Sequence, residues 1–133
     1  MLEDTEELIC DEAINLSASM KYDAILSNSV FSYFQDYDYA LQVLKIMYSK
    51  ANYSIGIIDI HDIKKQDAFV EFRKKTVENY DEKYKELPKL FYDKKFFLDF
   101  ADKYNMDIKF KKSNMKGYWN NEFVYHCFYY KNR

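Results

Sequence analysis

The spacing of apolar residues changes several times along the chain, and each change marks an element. Ala24, Ile25 and Leu26 form a short apolar run that stops at the small polar triplet Ser27, Asn28 and Ser29. That pattern predicts a buried strand over 22–27 ending at a loop. From Asp36 the period becomes helical, with Ala40, Leu41, Val43, Leu44 and Met47 on one face and Asp36 or Asp38 available as N-cap, so a helix is expected over 38–50. Ile55, Ile57, Ile58 and Ile60 leave little polar surface over 53–60. Such a run suits a parallel strand covered on both faces.

Residues 63–87 are strongly charged, with Phe69, Val70, Phe72 and Val77 as their apolar minority. They predict a weakly anchored helical stretch ending near Pro88. A firmer helix follows, capped by Asp93 and burying Phe96, Phe97, Phe100 and Ala101. Residues 107–112 alternate like a strand, "GYWNNEF" reads as a turn, and 122–132 as a last long strand. The order strand, helix, strand, helix, helix, strand, strand predicts an α/β sheet, mainly parallel, with an antiparallel strand near one edge. Ligands of such sheets sit at the carboxyl ends of the strands. Ser27, Asn28 and Ser29 are therefore the first candidates for contact with a ligand.

Composition narrows the choice. The 133 residues suffice for one domain, divided as an acidic lead segment 1–21, a strand–helix–strand unit 22–62, a helical, lid-like insertion 63–92, and a helix with hairpin 93–133. Gly56 and Gly117 are the only glycines, so a glycine-rich phosphate loop cannot be built from this chain. A net charge of −2 gives no general pull toward nucleic acid. Cys10 and Cys127 match no zinc or redox spacing, the two histidines are scattered, and no metal site is expected. The N-terminus lacks the look of a signal peptide and no apolar run approaches the roughly 20 residues of a membrane span, so a soluble, cytoplasmic protein is expected.

Four phrases, "DEAINL" (11–16), "YDAILSNSVFSYF" (22–34), "YALQVLKIM" (39–47) and "IGIIDI" (55–60), lead into "LFYDKKFFLDFADKYNMDI" (90–108). In this order they resemble the second half of a class I S-adenosylmethionine-dependent methyltransferase, closest to its small-molecule and sugar branch. The resemblance implies an incomplete Rossmann-like sheet and S-adenosylmethionine as cofactor. It implies Glu12 and Ala13 beside the adenine, the carboxylate accepting from the amino group and the Ala13 N–H serving a ring nitrogen; a solvated acidic turn is the alternative. Ser27, Asn28 and Ser29 would line the cofactor cleft, with Phe31 and Phe34 beside it and Phe31 toward the substrate.

His61, flanked by Asp59 and Asp62, is a candidate general base for a hydroxyl acceptor, with a surface-turn histidine as the plainer alternative. His126, mid-strand, is read as a packed or edge-facing residue. Over the acceptor side, Phe69, Phe72, Tyr80 and Tyr84 would shape a pocket, with Arg73 and Lys74 toward an anion. Tyr118 and Trp119 would form an acceptor wall able to stack on a sugar, or else serve as hairpin core.

The likeness lacks one half. The family's glycine-rich turn and ribose-binding acid have no counterpart, which predicts poor cofactor binding by this chain alone. It also leaves strand 22–27 as an apolar edge, inviting a homodimer or a complementing chain. A piece of a longer gene, a remnant stabilised by pairing, and half of a split enzyme all fit. The competing expectation is a non-catalytic interaction or scaffold remnant that keeps the sheet and has lost the cofactor.

Overall fold

The computed structural model describes residues 13–15, 21–83 and 89–132. A 3-10 turn at Ala13–Asn15 precedes strand β1 (Tyr22–Asn28), helix α1 (Tyr37–Lys50) and strand β2 (Ala51–His61). Helices α2 (Gln66–Thr76), α3 (Tyr80–Lys83) and α4 (Lys94–Tyr104) follow, then strands β3 (Met106–Lys112) and β4 (Val124–Lys131).

The caps are those the sequence names. Asp36 accepts a hydrogen bond from the Tyr39 N–H and Asp93 from the Lys95 N–H, both at 2.8 Å. Asn105 ends α4 in the left-handed region at φ 54° and returns its N–H to Ala101. The charged stretch after His61 is not one helix. α2 stops at Thr76, Val77 is extended, and Asn79 takes a left-handed φ of 56° before α3 begins. Pro88 lies outside the described residues.

The four strands form one sheet in the order β1-β2-β4-β3. β1 and β2 are parallel, and the closing hairpin supplies both antiparallel pairings. The carboxyl ends of β1 and β2 therefore lie at the same edge of the molecule, with Ser27 opposite Ile57 and Asn28 opposite Ile58.

One sheet face carries the core. Ile55, Ile57, Cys127 and Tyr129 pack there with Leu44 from α1 and Phe97 from α4, all essentially without exposure. Buried tyrosines satisfy their hydroxyls on main-chain oxygens: Tyr92 donates to Phe31, Tyr125 to Tyr92 and Tyr129 to Phe97. Burial pushes the Cys127 thiol up to about 12.

On the opposite face β2 is likewise buried or half-buried at Ser54, Gly56 and Ile58, as the expected double cover requires. A Cβ on Gly56 would meet Leu26 at 2.5 Å and Phe128 at 3.2 Å, so these residues share that face. Leu26 is 70% exposed there and Tyr130 42%. β2 is buried or half-buried on both faces from Ser54 to His61, while its neighbour β1 is largely open.

The two faces should respond differently to substitution. Leu44→Ala should cost about 2–5 kcal/mol through lost burial and a cavity. Leu26→Lys should change stability by less than about 0.5 kcal/mol. Urea unfolding of both variants measures the contrast, and a large loss in Leu26→Lys would contradict an open face.

Candidate functional site

The parallel pair ends in strain. Ser29 (φ 64°), just past β1, and Asp59 (φ 63°), near the end of β2, both occupy the left-handed region. Non-glycine residues pay about 1–3 kcal/mol for such conformations, and Asp and Asn pay least. At Asp59 the cause is a bulge: three steps along β2, from Ile57 to Ile60, face two along β4, from Cys127 to Tyr125. Such a bulge bends the strand and re-aims a side chain. The His126 ring nitrogen Nδ1 holds the bulge by accepting from the Asp59 N–H at 3.2 Å.

The re-aimed carboxylate gathers the neighbouring elements. Asp59 Oδ2 accepts from the Ser29 hydroxyl at 2.8 Å and the Tyr118 hydroxyl at 2.7 Å. Asn120 Nδ2 donates to the Tyr118 oxygen at 3.3 Å and stands 3.2 Å from His61 Nε2. A donating amide assigns the remaining His61 proton to Nδ1. The chain of contacts thus runs from the β1 terminus through the end of β2 into the β3–β4 turn. Asp59 Oδ1, His61 Nδ1 and Asn120 Oδ1 are buried with no partner among the described residues.

His61 closes β2 rather than following it, and it is buried at 3% exposure. Phe69 and Phe91 stand edge-on to its ring at 5.2 and 5.5 Å. Burial lowers its pKa to about 4; the charge of Lys89 adds to this and the Asp59 carboxylate opposes it. The imidazole is neutral at physiological pH, but its Nε2 already faces Asn120 and Lys89 Nζ, the latter at 3.5 Å. Its place is behind the cleft rather than on its surface.

Two open cavities meet at Asn28. One, of about 490 Å³, is lined by Asn28, Ser29, Asp59, Lys116, Gly117 and Tyr118, among others. The other, of about 370 Å³, runs between β1 and α1 and is mostly apolar, with Ala13, Ile25, Ser27, Asn28, Phe34 and Met47 in its wall. The structure thus brings Ala13, Ser27 and Asn28 to one groove, and Asn28, Ser29 and Tyr118 to the next. Glu12 and Tyr84 lie outside the described residues. Phe31 leaves the site: it is 1% exposed and packs in the core against Phe34, Tyr92 and Phe97, because the 3-10 turn at Phe31–Tyr33 points its ring inward. Trp119 is 47% exposed and stacks on Phe72 at 5.9 Å, apart from its sequence neighbour's contact with Asp59.

Lys89 and Asn120 are the site residues that sequence patterning passes over. Lys89 sits in a charged stretch with no periodic signal. Asn120 shares the turn phrase with Tyr118 and Trp119, and a polar residue in a turn carries no mark of being buried. Among the described residues no three His, Cys, Asp or Glu side chains gather as metal ligands, and no helix is long and apolar enough to cross a membrane.

No family model matches the chain, and no curated protein matches it. A solved structure does: the magnesium protoporphyrin IX methyltransferase from Synechocystis PCC 6803 with bound SAH, at a TM-score of 0.64 and 8% identity. The fold is methyltransferase-like. The alignment covers 92% of this chain and 49% of that one, so this chain spans about half the length of the structure it matches.

The neutral, buried His61 sets a pH dependence. Its folded pKa of about 4 lies below the ordinary value of 6.5, so the unfolded chain holds the proton more tightly. Its contribution is constant above the unfolded value and is lost as pH falls from 6.5 toward 4, by about 3 kcal/mol in all. Urea unfolding between pH 7 and 4 should show a steeper loss for the native chain than for His61→Asn. Parallel curves would mean the imidazole is not held neutral.

Proposed function

We propose that the carboxyl ends of β1 and β2 form one wall of an S-adenosylmethionine site, and that the chain belongs to a methyltransferase acting on a small molecule or saccharide. The observation that carries this is the placement of Ala13, Ser27 and Asn28 in a single groove beside parallel strand ends, in a fold shared with a methyltransferase. The groove suits an adenosyl group in two respects. Its walls are mainly apolar, and the Ser27 hydroxyl is buried there without a partner among the described residues. Glu12, next to Ala13 in the chain, takes the adenine amino group in this reading.

The cofactor supplies a methyl group on a cationic sulfur, already activated for in-line displacement. The chain's own part is to position the acceptor and exclude water. The neighbouring cleft, with Ser29, Asp59 and Tyr118 in its wall, takes the acceptor. Asp59, which lines that cleft while His61 does not, is the better placed of the two to accept a proton from an acceptor hydroxyl. His61 acts instead as a positioning residue, since it holds Asn120 and through it Tyr118.

Strand β1 is paired on one side only among the described residues, and its Leu26 is largely exposed. That edge is where a further strand, from another chain or another part of the same polypeptide, completes the opposite wall. A single wall holds the cofactor weakly.

Titration with S-adenosylhomocysteine, followed by amide shifts, tests the assignment. Ser27, Asn28 and Ser29 should shift with a dissociation constant of about 0.1–1 mM. Ser27→Leu, which fills the groove, should weaken binding about tenfold or more. No shift at several millimolar ligand would defeat the proposal.

A further inference from the structure

We propose that His126 is a positioning residue whose neutral ring fixes the aim of the Asp59 carboxylate, so that a proton taken up by His126 loosens the cleft formed by Ser29, Asp59 and Tyr118. The acceptor role of that cleft rests on the methyl-transfer reading, whereas the coupling rests on the hydrogen bonds themselves.

The bulge makes the coupling possible. Ile57 and Ile60 have register partners on β4, but Asp59 between them has none. Its N–H goes to a side chain instead of a strand carbonyl, the His126 Nδ1 at 3.2 Å. Alternation along β4 puts His126 on the same face as Phe128, away from the core, where it is half-buried. The Asp59 main chain is held there at φ 63°, and its Oδ2 takes the Ser29 and Tyr118 hydroxyls. One imidazole therefore stands behind the residue that ties the cleft together.

A carbonyl accepts at every pH, and an imidazole does not. Nδ1 accepts only while it is unprotonated, which places the neutral ring's proton on Nε2. The imidazolium carries a proton on both nitrogens, so two N–H groups face each other and the bond to Asp59 is lost. The charged groups that face the ring are Asp59 from β2 and Lys111, its exposed register partner on β3, with Lys109 one row along. Asp59 attracts the imidazolium, which then competes with Ser29 and Tyr118 for the carboxylate. Burial opposes the charged ring and outweighs Asp59, so the link is intact at neutral pH and is lost as pH falls below the ordinary histidine value of 6.5. His61, more deeply enclosed, takes its proton only near 4.

Amide and histidine-ring signals of the full chain, followed by NMR between pH 7 and 4, test the coupling. The amides of Asp59, Ser29 and Tyr118 should move with the midpoint of the His126 ring, above that of His61. This comparison needs no substitution, so it stands even if a variant folds poorly. His126→Gln supplies a side-chain oxygen that accepts without titrating; it should keep the amide positions of neutral pH and lose the step. His126→Phe, which supplies no acceptor, should displace the Asp59 amide already at pH 7. An Asp59 amide that stays still through the His126 midpoint, or a step that persists in His126→Gln, would overturn the inference. Titration with S-adenosylhomocysteine at pH 7 separates the two claims. The pH step without ligand shifts at Ser27–Ser29 would defeat the methyl-transfer reading alone, and ligand shifts without the His126-linked step would defeat this inference alone.

Discussion

The carboxylate of Asp59 is the tie on which the site depends. One oxygen holds the Ser29 hydroxyl from beyond β1 and the Tyr118 hydroxyl from the hairpin turn, while the main chain beneath it is bent by a bulge that His126 pins. Two left-handed, non-glycine residues face each other there and share a hydrogen bond. A charge-assisted bond of that kind is about twice as strong as a neutral one, enough to offset much of the backbone strain. The sheet therefore does not simply stop at its carboxyl edge. It ends in a polar knot whose members come from three separate stretches of the chain.

Much of the scaffold was legible in the order of residues. Strands 22–27 and 53–60, the capped helices and the alternating 107–112 segment all announced themselves by period and cap. Those signals are local, and each depends on residues only a few positions apart. The weakly anchored helical stretch expected over 63–87 is divided for a local reason as well: Asn79 takes a left-handed turn that no count of apolar spacing registers. The low exposure expected for β2 holds from Ser54 to His61, but its register against β4 was not legible. Ile57 and Ile60 straddle a bulge, and a bulge is a matter of register against β4 that the β2 sequence cannot display.

The site was harder to read because its members answer to tertiary contacts. Ser27, Asn28 and Ser29 were visible as the polar end of an apolar run. Phe31, three residues after Asn28, looked like part of the same surface, yet a single 3-10 turn sends it into the core. His61 was read as a candidate general base at a strand end, or else a surface-turn histidine, but Phe69 and Phe91 enclose it and burial keeps it neutral. Lys89 and Asn120 gave no sign, since a half-buried lysine and a buried turn amide are unusual for their types. The likeness to a known methyltransferase structure supports the architecture at 8% identity, a level at which side-chain roles must be argued from this chain's own geometry.

Cys127 sits at the centre of β4, fully enclosed, with its thiol held far from ionisation. Since the thiolate is the reactive form, alkylating reagents and mild oxidants meet an inert sulfur while the sheet is intact. Any excursion that peels β4 from its neighbours turns that sulfur into an ordinary reactive one. The strand thus carries an internal chemical clock whose rate of modification records how often the middle of the sheet comes apart.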